Sequence, residues 1–335
     1  VRYRKASLVL ALVSIAISFV CTGCSGRAAS SVREPRQFGN EFSVVSESIV
    51  DSENHYLSTI KVKAPIFTPG VGHIVKECSG VLISDRLVLT AGHCVCNERK
   101  PIAPESPDTT IIDSKSPCVE TVYVQLLTYR TGEPLSSDGS VPADESKPYR
   151  GKAQVHKDIK LIYRGMETEP GKTVNATIFS HADIATISLE EPILEKVKYV
   201  SPAKEEIGHS EKVVLVGFGL PYLGGAIGRD RRYGANYVVS RRVDGATFHV
   251  GKQGVDVSET YSGEVPDTRI TSGSYLTSGD SGGPCFRNLG DKVELVGIAK
   301  SVRAGTLTLS AYTSVFHYLE WLNQRIEESK KGYSN

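Results

Sequence analysis

The residues best suited to chemistry in this chain are Gly279-Asp280-Ser281-Gly282-Gly283-Pro284. A serine hydroxyl is a poor nucleophile unless a base takes its proton and fixed donors hold the oxyanion that forms. Glycines on both sides permit a tight turn, in which the N–H groups of Gly279 and Ser281 can aim at one point beside the hydroxyl. Alone, such a stretch is equally a Gly-rich surface turn. A candidate base lies far upstream, in Leu89-Thr90-Ala91-Gly92-His93-Cys94. His93 follows two apolar runs, Gly80-Val81-Leu82-Ile83 and Leu87-Val88-Leu89, which read as strands around a Ser84-Asp85-Arg86 turn. A lone histidine is as readily structural. His93 draws its meaning from the serine.

Together the two motifs resemble the trypsin/chymotrypsin family of serine endopeptidases, in its bacterial branch, and the resemblance covers roughly residues 49–328. A third stretch lies between them, His181-Ala182-Asp183-Ile184-Ala185-Thr186-Ile187-Ser188-Leu189. It is similar to the family's Asn-Asp-Ile-Ala-Leu-Leu, with the acid at Asp183; His181 reads as an ordinary loop histidine. The resemblance implies Ser281 as nucleophile, His93 as general base and acid, and Asp183 as the group that orients the imidazole. It implies an oxyanion hole built from the N–H groups of Gly279 and Ser281. The fold expected is all-β, two packed six-stranded antiparallel β-barrels (chymotrypsin-like) with a C-terminal α-helix.

The elements that must position these groups are legible in part. Val122-Tyr123-Val124-Gln125-Leu126-Leu127 reads as one strand inside a long insertion, about 96–150, rich in Pro, Ser, Asp and Gly. Long loops on barrel strands often carry specificity, and a swollen loop without function fits equally well. Val213-Val214-Leu215-Val216-Gly217-Phe218-Gly219 looks like the family's strand ending in Gly-Trp-Gly at the start of the second barrel. Gly224, Gly225 and Gly228 with Arg229, Arg231 and Arg232 read as a turn rather than a phosphate loop, since no Gly-Lys-Ser/Thr follows. Val315, Leu319, Leu322 and Ile326 recur at helical spacing beside Trp321, as the family's terminal helix does.

By the same resemblance the specificity pocket falls on Tyr275, Ser301, Val302 and Ser310, with Tyr275 where an acid would select Arg or Lys. A trypsin-like preference is therefore not expected, and a small or medium apolar side chain is. Either Ser301 or Lys300 stands where the family's hydroxyl supports the catalytic acid. The family's mature domain begins with Ile-Val, whose freed amino group pairs with the acid before the nucleophile; Ile49 and Asp280 would be that pair. Asp51 and Ser52 replace the usual glycines, and Ile49-Val50 reads equally as a first barrel strand.

Seven cysteines occur. Cys78 and Cys94 sit where the family has the bridge that pins the histidine loop. Cys96 and Cys118 flank a Pro-rich stretch that a second bridge could close, although spacing alone does not set connectivity. Cys285 is left over as a buried free thiol. Cys94-x-Cys96 could also suggest a metal, but no second Cys/His cluster has zinc-like spacing, so neither a metal nor a cofactor is expected.

Residues 1–24 read as an export signal, with Arg2, Arg4 and Lys5 before an apolar run from Leu8 to Val20 that is short for a membrane span. Its end, Cys21-Thr22-Gly23-Cys24, resembles the lipobox of bacterial lipoproteins, with Cys24 as the acylated residue; an ordinary cleavage near Gly26 to Ala29 is the alternative. Residues 25–48 read as a tether or pro-segment, and 329–335 as a tail. An exported protein of the cell envelope, periplasmic or secreted, is expected, a monomer that touches membrane only through the lipid. The formal net charge of +1 gives no electrostatic case for nucleic acid. The expected function is peptide-bond hydrolysis through an acyl-enzyme. The alternative is a silent member of the fold acting as a binding or adhesion module. Gly279-Asp280-Ser281-Gly282-Gly283 also satisfies the esterase pattern Gly-x-Ser-x-Gly, but the order His, Asp, Ser favours a peptidase.

Overall fold

In the chain's computed structural model the described residues are 48–102, 107–135, 140–169, 172–220, 230–252, 273–290, 292–303 and 309–331. The segments expected to be export signal and tether, with Cys24, lie outside them except for Ser48, as does the glycine run at 224–228. Contacts divide the chain into residues 1–39, none of which is described, and residues 40–335, which hold everything below.

The strands in chain order begin with β1 (Ile49–Val50), β2 (Thr59–Thr68), β3 (Gly72–Leu82) and β4 (Leu87–Thr90). A single 3₁₀ turn, Gly92–Cys94, follows. Then come β5 (Thr109–Asp113), β6 (Val122–Gln125), β7 (Leu127–Tyr129), β8 (Ala143–Glu145), β9 (Tyr149–Val155), β10 (Lys160–Glu169), β11 (Lys172–His181) and β12 (Ala185–Leu189). The rest are β13 (Ser201–Pro202), β14 (Lys212–Gly217), β15 (Arg232–Arg241), β16 (Thr247–Gly251), β17 (Pro284–Leu289), β18 (Lys292–Arg303) and β19 (Leu309–Ser314), before helix α1 (Leu319–Lys331).

Strands β12, β4, β3, β2, β6 and β9 close into one barrel. Strands β15, β14, β17, β18, β19 and β16 close the second, because β16 pairs back to β15. The expected pair of six-stranded antiparallel barrels with one terminal helix is the observed fold. Closure gives each of these strands a neighbour on both sides over part of its length and turns their apolar faces inward. Ile60, Val62, Val81, Leu89, Val124 and Ile187 fill the first barrel, and Leu215, Phe248, Val250, Val296 and Tyr312 the second. Leu322 of α1 is fully buried, with Trp321 and Ile326 against the same core, as the helical spacing predicts.

One expected strand differs. The run from Val122 to Leu127 breaks at Leu126, whose N–H donates to Ser146 Oγ at 3.0 Å instead of continuing a ladder. β6 stays in the barrel, while β7 leaves to pair with β8. Outside the barrel, β5 joins the β10–β11 hairpin in a three-stranded sheet.

Candidate active site

The chain reaches His93 at the end of β4, through extended Ala91 into the 3₁₀ turn. His93 N donates to Asp183 Oδ1 at 2.9 Å, and its Nδ1 lies 2.7 Å from Asp183 Oδ2. An ionised carboxylate can only accept, so Nδ1 carries a proton, and in the neutral ring Nε2 is then the acceptor. Both side chains are buried. Burial opposes the ionisation of Asp183, but the charge and hydrogen bonds of His93 outweigh it, and the carboxyl is held below its ordinary range.

Asp183 does not begin a ladder; it sits two residues before β12, in a corner where Ala182 takes a left-handed φ of +48°. That corner is held from the other half of the molecule. Thr313 Oγ1 of β19 donates to Asp183 O at 3.0 Å, and Tyr318 OH accepts from Ala182 N at 3.1 Å. Burial pushes the Tyr318 phenol up to about 12, so it stays neutral in this role.

Ser281 arrives from the second barrel, on the turn before β17. Gly283 N donates to Asp280 O at 2.8 Å and Asp280 N to Thr277 O at 3.1 Å, which folds the turn. Gly282 takes a φ of +79°, and a β-carbon there would lie 2.1 Å from Thr90 Oγ1 and 2.4 Å from Ser79 O. Only glycine lets the turn press so closely on the strand that leads to His93. The Cys94 sulfur touches Ser281 O at 3.6 Å, and Ser79 N donates to that same oxygen at 2.8 Å. His93, Asp183 and Ser281 are thereby brought to one place, although no hydrogen bond joins Ser281 Oγ to His93. Such contacts commonly tighten only when substrate binds. Among the described residues, neither Gly279 N nor Ser281 N donates to any protein acceptor.

Asp280 is tied down by neutral donors: Gly219 N at 2.7 Å, Thr277 N at 2.8 Å and Thr277 Oγ1 at 3.0 Å. Burial pushes its carboxyl up despite these bonds. The intact chain does not join Asp280 to Ile49, which pairs with Tyr233 in β15 and is 57% exposed. The preceding residue is nearer: Ser48 lines a cavity of about 30 Å³ together with Asp280, Arg232 and Tyr275.

The pocket residues are dispersed in role. Tyr275 is buried and faces that cavity. Ser310 Oγ accepts from Leu276 N at 2.9 Å. The ladder between β18 and β19 slips between Ala299 and Ser301, so Lys300 bulges; its Nζ bonds Thr247 Oγ1 at 2.9 Å and its charge helps keep Asp183 ionised. Ser301 pairs with Ala311 beyond the bulge. The Val302 side chain lies outside the described residues.

Disulfides join Cys78 to Cys94 and Cys96 to Cys118, and Cys285 is a buried free thiol that burial pushes up. Cys78, His93 and Cys94 come within 4.8 Å of one another, but the two sulfurs are bonded to each other.

Several residues of this region give no sign of themselves in sequence. Lys76 Nζ donates to His93 O at 3.0 Å. Arg231 and Asp51, both 0% exposed, form an ion pair at 2.7 Å, with Arg231 also reaching Leu127 O and Asn54 Oδ1. The only hint was Asp51 in place of a glycine, and its partner lies 180 residues away.

A family model described as Trypsin matches residues 60–121 and 144–322, well over half of the chain. The break between the two segments falls on β6, β7 and the approach to β8. A search of curated proteins finds no match.

Proposed function

The chain belongs to the trypsin family, and from that premise we propose that it is a serine endopeptidase working through Ser281, His93 and Asp183. The observation that carries this reading is the buried bond of 2.7 Å from His93 Nδ1 to Asp183 Oδ2, beside a turn that presents Ser281 against the same strand end. As Ser281 Oγ attacks the peptide carbonyl carbon, its proton passes to His93 Nε2 and the carbonyl electron pair moves onto oxygen. The N–H groups of Gly279 and Ser281 hold that oxyanion. Collapse expels the amine, which takes the proton from His93, and leaves the acyl group on Ser281. Water, deprotonated by His93, then releases the acid and restores the serine. Asp183 keeps the imidazole in the tautomer that can accept and stabilises its charged form.

The substrate is a protein or peptide with a residue other than Arg or Lys before the scissile bond, because Tyr275 occupies the sequence position where an acid would select those side chains. The protein acts as a monomer outside the cytoplasm, residues 1–24 serving as export signal, Cys24 as lipid anchor and 25–48 as tether. The two disulfides fit an oxidising compartment, and no described helix is long and apolar enough to cross a membrane.

The test is fluorophosphonate labelling of the purified protein, with mass spectrometry of the labelled peptide and of the N-terminus. Label on Ser281, lost in Ser281→Ala along with peptide hydrolysis while the melting temperature stays within a few degrees, is the expected result. Hydrolysis retained by purified Ser281→Ala would refute the assignment. Absence of label on the wild-type protein would point to a locked zymogen, and absence of label also after cleavage before Ile49 to a binding module instead.

A further inference from the structure

Ser79 lies in β3 next to disulfide-bonded Cys78, with 0% of its surface exposed. Four hydrogen bonds meet on it. Its Oγ donates to Gly279 O at 2.9 Å and accepts from Phe218 N at 3.0 Å. Its N–H donates to Ser281 O at 2.8 Å, and its carbonyl accepts from Thr90 Oγ1 at 2.8 Å. A hydroxyl has one proton, and this one is committed to Gly279. One residue of the first barrel thus grips the nucleophile turn on both sides of Asp280.

The grip matters because Gly279 has no β-carbon to limit its dihedrals and sits at a φ of +98°. Two peptide planes meet at its α-carbon. Leu220 N fixes the plane before it by donating to Ser278 O at 2.9 Å. In a trans peptide the N–H points opposite the C=O, so a Ser278 carbonyl turned towards Leu220 turns the Gly279 N–H the other way. Ser79 Oγ fixes the plane after it. With both planes held, the Gly279 N–H has one direction, and neither it nor Ser281 N is consumed by a described protein acceptor.

We propose that Ser79 is a positioning residue that preorganises the oxyanion-binding amides of Gly279 and Ser281, so that the first barrel sets the transition-state geometry of the second. This inference rests on the endopeptidase reading above. Donors fixed before reaction cost no reorganisation during it, which is why their orientation bears on the transition state more than on the ground state.

The experiment compares Ser79→Ala, Ser79→Thr and wild-type protein, all assayed well below the melting temperature of the weakest. Ser79→Ala is expected to lower kcat by about 10- to 100-fold with KM little changed, less than deletion of an oxyanion donor itself. Inhibition by a peptide aldehyde, whose adduct oxygen occupies the oxyanion position, is expected to weaken by the same factor as kcat/KM. Ser79→Thr keeps the hydroxyl and is expected to recover most of kcat whatever its methyl group costs in stability. A Ser79→Ala protein with wild-type kcat, or one whose lost kcat leaves aldehyde affinity untouched, would overturn the proposal while leaving the endopeptidase reading intact. A wild-type protein that neither turns over nor labels would overturn that reading, and this inference with it.

Discussion

Asp183 and Asp280 are two carboxylates drawn out of water within one site, but Asp183 accepts from the histidine ring of the first barrel while Asp280 accepts only from Gly219 and Thr277 in the second. Burial raises the cost of charge at both. At Asp183 the histidine more than repays it and the carboxyl is held down; at Asp280 neutral donors do not, and the carboxyl is pushed up. Covalent support is unequal as well. The histidine turn is bridged by Cys78–Cys94, whereas the cysteine nearest Ser281 in sequence, Cys285, is free. The lesson is that the His93–Asp183 half is made rigid by charge and a cross-link and the Ser281 half by neutral hydrogen bonds, while each is braced from the other barrel, by Thr313 and Lys300 at the one and by Ser79 at the other.

The hardest blow to that contrast is Asp183→Asn. An amide presents a donor to Nδ1, forces the wrong tautomer and should lower kcat by about 10⁴-fold with little change in fold. A steady-state assay decides it, and retention of activity within tenfold would remove Asp183 from the mechanism. Next in size is the double substitution Cys78→Ser with Cys94→Ser. The bridge closes a separation of 16 residues, and its loss should destabilise the protein by about 3 kcal/mol in urea titration. An unchanged midpoint would show that the covalent part of the contrast is energetically idle.

The smallest effect concerns Asp280. Its folded value lies above its unfolded one, so its contribution to stability is full below about pH 4 and is lost as pH rises through the folded value. Asp183 is the reverse, full above about pH 4 and lost as pH falls through its folded value. A cut engineered after Ser48 would place an amino group at the cavity that Ser48 and Asp280 share. The cut protein should melt about 2–4 °C higher at pH 7 than the intact one, with the gain vanishing below about pH 4. No gain at pH 7 would dissolve the pairing of Ile49 with Asp280.

Much of this was open to reading from the chain. The turn around Ser281 and the turn around His93 are each contiguous, and their chemistry and packing demand particular residues in a row. The barrels announce themselves through short apolar runs between turn residues, and α1 through its recurrence of Val315, Leu319, Leu322 and Ile326. Val122 to Leu127 misled because a continuous apolar run looks the same whether it stays in one sheet or passes between two. Sequence position also does not say where a side chain is engaged: Ser310 Oγ accepts from Leu276 N, and Tyr275 faces the cavity that Ser48 and Asp280 share.

What the sequence by itself determined is the set of candidate reacting groups and the local turns that display them, because those depend on residues within a few positions of one another. What only the tertiary structure decided is the set of supports. Ser79 reaches Gly279 across 200 residues, Thr313 reaches Asp183 across 130, and Arg231 reaches Asp51 across 180. Serine, threonine and arginine carry no mark of such duties in the chain. A buried hydrogen bond depends on ångströms, and those are set only when both barrels have closed and packed.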